Sequence, residues 1–152
     1  MLRDRLREFM KTAMKSKDEI GLATVRLIQA ALKDRDIAAR SQGNMDGIGN
    51  DEILGLLQSM IKQRRDSIEM YEKGGRPELA EREALEIVVI QGFLPEQMSD
   101  EAAAAAIDAV VSELAASSMK DMGRVMAALK ERHAGSMDFG KASGQVKARL
   151  AS

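Results

Sequence analysis

The chain has 152 residues, of which 45% are hydrophobic and 31% charged, with a net charge of −1. That suits one medium folded domain, or a domain with a small subdomain, and it means that any nucleic-acid surface must be a local patch. There is no cysteine, which excludes disulfides, thiolate nucleophiles and cysteine-ligated zinc or iron–sulfur sites.

The start, Met1-Leu2-Arg3-Asp4-Arg5, is charged and has no long apolar run behind it. Neither a signal peptide nor a membrane span is expected, and the expected location is the cytoplasm of a bacterial-type cell. Apolar residues Leu2, Leu6, Phe9, Met10, Ala13 and Met14 recur at steps of three and four, which predicts a first amphipathic helix. Asp18 and Glu19 suit the first turn of a second helix, whose buried stripe is Leu22, Val25, Ile28 and Leu32. Residues 41–50, with Gly43, Gly47 and Gly49, form the clearest loop. Asn50 is the expected cap of a third helix lined by Ile53, Leu57, Met60, Ile61 and Ile68. Gly74-Gly75 ends it, and Pro77 fits the first position of a fourth helix, where its missing N–H costs nothing. Leu79, Ala84, Ile87, Val88 and Ile90 are that helix's apolar residues, and Gly92 is expected to close it in a left-handed conformation.

Phe93-Leu94-Pro95 then forms an apolar hinge, because Pro95 disfavours helix at Leu94. Ser99 caps a fifth helix carrying Ile107, Val110, Val111 and Leu114. Ser117 or Ser118 opens a sixth with Met122, Val125, Met126 and Leu129, closed by Gly135. Asp138 caps a seventh carrying Phe139, Val146 and Leu150. The predicted architecture is all-α: a four-helix N-terminal subdomain over residues 1–97 and a C-terminal three-helix bundle over 98–152, small enough to fold marginally and to move relative to the first.

Few residues carry chemistry. His133 is the only histidine and suits a helix C-terminus. Glu78, Glu81, Glu83 and Glu86 crowd one helix, as a solvated acidic face does. Gly74-Gly75-Arg76 precedes a helix but lacks the strand and the Lys-Ser/Thr ending of a phosphate loop. The methionines near the end, Met122 and Met126 among them, sit at core spacing, although methionine also lines protein-binding grooves. No catalytic residue, metal site or cofactor is assigned.

Basic residues are unevenly spread. Over Met119 to Ser152, Lys120, Arg124, Lys130, Arg132, Lys141, Lys147 and Arg149 face only Asp121, Glu131 and Asp138, a balance of +4. Lys62-Gln63-Arg64-Arg65 adds a cluster on the third helix. Such runs are either solvated helix faces or phosphate-contacting surfaces. With 3% aromatics, stacking on single strands is not expected; shape and backbone contacts to a folded RNA fit better.

Several stretches resemble the GatB/YqeY family of stand-alone proteins: Thr24-Val25-Arg26-Leu27-Ile28, Lys33-Asp34-Arg35-Asp36-Ile37-Ala38, Lys62-Gln63-Arg64-Arg65-Asp66-Ser67, Tyr71 with Gly74-Gly75-Arg76, Phe93-Leu94-Pro95, Met122-Gly123-Arg124-Val125-Met126, and Gly135 with Met137-Asp138-Phe139-Gly140-Lys141. The C-terminal part is similar to the tail domain of the B subunit of the Asp-tRNA/Glu-tRNA amidotransferase. The resemblance implies a helical fold in two parts and a link to tRNA-dependent transamidation, a carbon–nitrogen ligase activity with glutamine as amide donor. The amidotransferase's catalytic modules have no counterpart here, so the implied role is that of a tRNA-binding module. Its expected contacts are Lys120, Gly123, Arg124, Lys130, Gly140 and Lys141, with Lys62, Arg64 and Arg65 as a second set. No DNA or membrane contact is expected. The alternative is a protein–protein adaptor for an amidotransferase or synthetase, using Phe93-Leu94-Pro95 and the methionine-rich unit. An independent enzyme is the third reading.

Overall fold

The computed structural model describes residues 1–151, which form seven α-helices and no strand. The helices are α1 (Leu2–Ser16), α2 (Glu19–Ser41), α3 (Asn50–Lys73), α4 (Pro77–Gln91), α5 (Asp100–Glu113), α6 (Met122–His133) and α7 (Phe139–Ala151). A 3₁₀ turn, Met119–Asp121, leads into α6. The chain divides into two compact units, Met1–Pro95 and the part from Glu96 onward.

The first unit holds α1 to α4. Lys17 adopts a left-handed conformation (φ 59°) that ends α1, and the Asp18 carboxylate then accepts from the Gly21 N–H to start α2. One core joins the four helices through Leu6, Val25, Ile28, Ile53, Leu57 and Ile90, all essentially sealed from solvent. Thr24, also sealed, donates its hydroxyl to the Ile20 carbonyl at 2.7 Å, so burial leaves it no unmet hydrogen bond.

The long loop between α2 and α3 is tied down by a polar latch. Arg3 forks onto Asp36 at 2.8 and 2.9 Å and also donates to the Ile48 carbonyl, while the Ile48 N–H donates to Asp36. Gly47 makes this approach feasible: its φ is +86°, and a Cβ there would lie 2.5 Å from the Asp36 carboxylate.

Two terminal details differ from the sequence expectation. Asn50 is already helical; Gly49, extended, precedes it and its carbonyl accepts from Ile53 N–H. Gly92 is right-handed (φ −60°, ψ −20°) rather than left-handed. The chain leaves α4 through successive tight turns, Phe93 N–H to Ile90 and Leu94 N–H to Gln91, so no reversal is needed there.

The second unit holds α5 to α7. Ser99 caps α5 by accepting from the Ala102 N–H. Gln97 donates to the Gly135 carbonyl and the Met98 N–H to the Ser136 carbonyl, which strap the entry of α5 to the turn between α6 and α7. The core here is separate: Ile107, Val110, Val125, Leu129, Met137 and Val146. Met137 is sealed, and Met122 and Met126 pack against this core, so these methionines serve as filling.

Candidate nucleic-acid interface

The 3₁₀ turn and α6 set the best-defined part of the cationic surface. Val125 and Leu129 point into the core, which turns the opposite side of the helix outward. Helical spacing places Lys120, Gly123, Arg124, Ala127 and Lys130 on that outward side, and all five are exposed. Lys120 and Lys130 have no ion pair among the described residues. At Gly123 an added Cβ would meet nothing within 4 Å, so a ligand's backbone can approach there unhindered. Glu131, on the same side, is the one acid among them.

Arg124 differs from its lysine neighbours. Its guanidinium donates to Asp121 at 2.8 Å. Asp121 itself is the far end of a capping box with Ser118. The Ser117 N–H, then Arg124 and the Ser118 N–H, hold the Asp121 carboxyl down at about 2. Arg124 therefore already helps to start the helix, and a phosphate would have to share it.

The other predicted contacts lie elsewhere. Gly140 and Lys141 open α7, both exposed, and the Lys141 ammonium is 3.9 Å from Asp100 at the start of α5. Gly144 and Lys147 continue the exposed side of α7 at helical spacing from Gly140. Their i, i+4 and i+7 pattern is readable in the sequence alone. Lys62 and Arg65 are exposed on α3, in the first unit.

Arg64 faces inward instead. Its Nε donates to Glu86 at 3.1 Å, its Nη1 donates to the Met60 carbonyl, and Glu83 lies 3.9 Å away. Glu86 is buried and also receives Arg82 at 3.5 Å. The acidic helix predicted as a solvated face thus buries one carboxylate in an ion-pair cluster between α3 and α4. Burial and the neighbouring Glu86 push the Glu83 carboxyl up, against the pull of Arg64 and Arg82. Glu78 pairs with Arg76 at 2.6 Å on the surface. Among the described residues no group of three or more His, Cys, Asp or Glu is placed to hold a metal ion. Among the described residues no helix is long and apolar enough to cross a membrane.

Phe93 is not an exposed hook. Its ring packs edge-on against Phe9 with centroids 5.3 Å apart, and Arg5 lies over it while donating to the Gly92 carbonyl at 2.8 Å. This places Phe93-Leu94 in the packing of the first unit.

The profile of Yqey-like proteins matches residues 3–150. The chain belongs to the YqeY family. Curated relatives of this YqeY-family chain include three proteins named Altered inheritance of mitochondria protein 41, mitochondrial. The one from Eremothecium gossypii is 32% identical over 112 residues, 72% of this chain and 58% of its own length. The one from Lachancea thermotolerans is 35% identical, covering 72% of this chain and 55% of its own length. The one from Pyrenophora tritici-repentis is 33% identical over 135 residues, 84% of this chain and 71% of its own length. The chain therefore spans little more than half the length of the first two relatives.

These names correct two expectations. The cytoplasmic location does not stand, because the relatives are mitochondrial proteins by name, and their fungal sources leave the bacterial assignment without support. The cytoplasmic expectation rested on an absence of cysteine and of apolar runs, which constrains chemistry and membrane insertion but distinguishes no aqueous compartment.

Proposed function

We propose that this YqeY-family protein is an RNA-binding module that docks on a folded, tRNA-like RNA through the outward side of the 3₁₀ turn and α6. The observation that carries this is the placement of Lys120 and Lys130, exposed and without ion pairs among the described residues, on either side of the open backbone at Gly123. Unpaired ammonium groups lose little on meeting a phosphate, and each contact made releases condensed counterions from the RNA. Lys141 and Lys147 on α7 extend the basic character of the unit. The similarity of this part to the amidotransferase tail domain supports tRNA as the RNA. Transamidation itself is assigned to no residue here; ligase chemistry would belong to a larger assembly in which this chain supplies binding.

The test is a salt titration of binding to bulk tRNA, comparing wild type with Lys120→Glu/Lys130→Glu. Arg124 is left intact because changing it would also loosen the Asp121 cap. The double variant should bind roughly tenfold or more weakly near 0.1 M salt, with a log–log salt slope reduced by about 2. Binding indifferent to salt, or equal in both proteins, would remove RNA from this surface.

A further inference from the structure

A groove of about 380 Å³ runs between α2 and α3 in the first unit. Its apolar lining comes from Leu27 and Ala31 on α2 and from Leu56 and Met60 on α3, each pair one helical turn apart. Leu27 leaves 47% of its surface in water although the core lies beside it. The small side chain of Ala31 keeps the middle of the groove open. Arg35 stands on the rim with no ion pair among the described residues, and Arg64 lines the groove with its Nε and Nη1 held by Glu86 and the Met60 carbonyl. The lining thus carries two guanidiniums against one carboxylate, Asp34.

The same chain carries a ridge of matching chemistry. On α4, Leu85 is 43% exposed and Val88 64%, three residues apart on one side of the helix. Glu81, one turn before Leu85, is exposed and has no ion pair among the described residues. An apolar ridge with a free acid one turn away is what a groove with four apolar side chains and a free arginine in its lining would accept.

We propose that two copies of this chain associate head to tail, the α4 ridge of one seating in the α2–α3 groove of the other. Leu85 and Val88 rest against Leu27, Ala31 and Met60, and Glu81 meets Arg35. Each copy offers both halves of the contact, so two reciprocal contacts close a dimer and a single repeated one extends a chain. An RNA is a poorer occupant, because the groove, which Ser59 and Gln63 also line, holds no aromatic ring for stacking and carries the Asp34 carboxylate.

The heterologous nature of the contact gives a decisive experiment by analytical ultracentrifugation of the full chain. Wild type should associate with rising concentration. Leu27→Asp, which spoils the groove, and Leu85→Asp, which spoils the ridge, should each weaken association at least tenfold. Both side chains are substantially exposed, so helical content and melting temperature should stay at wild-type values. Mixed one to one, the two variants should recover a complex of two chains, because the intact groove of one meets the intact ridge of the other. Glu81→Arg should weaken association and Arg35→Glu should restore it when added to that variant. A protein that remains monomeric to about 0.5 mM, or variants that do not complement on mixing, would overturn the proposal. If the same changes left self-association intact but abolished tRNA binding, the groove would be an RNA site and the proposal would fail in that way.

Discussion

Asp36 shows how much one side chain can hold. It accepts both arms of Arg3 and the Ile48 N–H, and so joins the first turn of the molecule to the end of the α2–α3 loop. The Arg3 hydrogen bond, against some burial and with help from Ile48, brings its carboxyl down to about 2. A carboxyl bound more weakly to protons when folded contributes stability that is complete above its ordinary pKa and is lost on acidification through the folded value. The pair is partly solvated, so the contribution is on the order of 1–2 kcal/mol. Urea unfolding should therefore show stability falling between about pH 4 and pH 2, and Asp36→Asn should be less stable at pH 7 with a flatter acid limb. An unchanged limb in that variant would mean that other carboxylates govern acid unfolding. The spacing of Arg3, Asp36 and Gly47 gave no hint of this latch, since three residues so far apart meet only once α1 has packed beside α2.

At the scale of elements, the pairing of α3 with α4 rests on Arg64 as well as on apolar contact. Removing Arg64 leaves the buried Glu86 carboxylate with only the half-exposed Arg82 at 3.5 Å, a change that costs about 1–3 kcal/mol, less than stranding the charge outright. Arg64→Met should lower the melting temperature sharply, and adding Glu86→Leu should recover most of the loss because an apolar pair of similar volume needs no partner. Glu83 behaves in the opposite sense. Its folded pKa is raised by burial and by Glu86, so its charge at neutral pH works against folding. Glu83→Gln should leave stability unchanged or raise it by up to about 1 kcal/mol, as read from chemical denaturation at pH 7; a loss comparable to that of Arg64→Met would show that Glu83 is an essential partner. Helical spacing identified most of the buried stripes, such as Val25, Ile28 and Leu32 on α2. It failed at Val88 and Met14, both exposed, because periodicity marks a face as apolar without saying whether a neighbour arrives to cover it.

For the whole molecule, two cores with no shared cluster imply two centres of stability. Leu129 is fully buried in the second core, and Leu129→Ala should cost about 2–5 kcal/mol there. Hydrogen exchange should report loss of protection across α5, α6 and α7, with α1 to α4 retaining theirs. Equal loss in both units would mean that they unfold as one body.

The chain's own sequence determined the helical class, the caps at Ser99 and Asp138, and the apolar stripes that fill both cores. These are local matters, set by which residues lie three and four positions apart and which side chains can reach the next free N–H. Only the tertiary structure decided which charges remain available. It turned Arg64 inward to Glu86, engaged Arg124 with Asp121, and left Lys120, Lys130, Glu81 and Arg35 without an ion pair among the described residues. A charged residue reads the same in sequence whether it faces water or a partner. The difference lies in the packing of distant helices, which sets both its desolvation and the partner it finds.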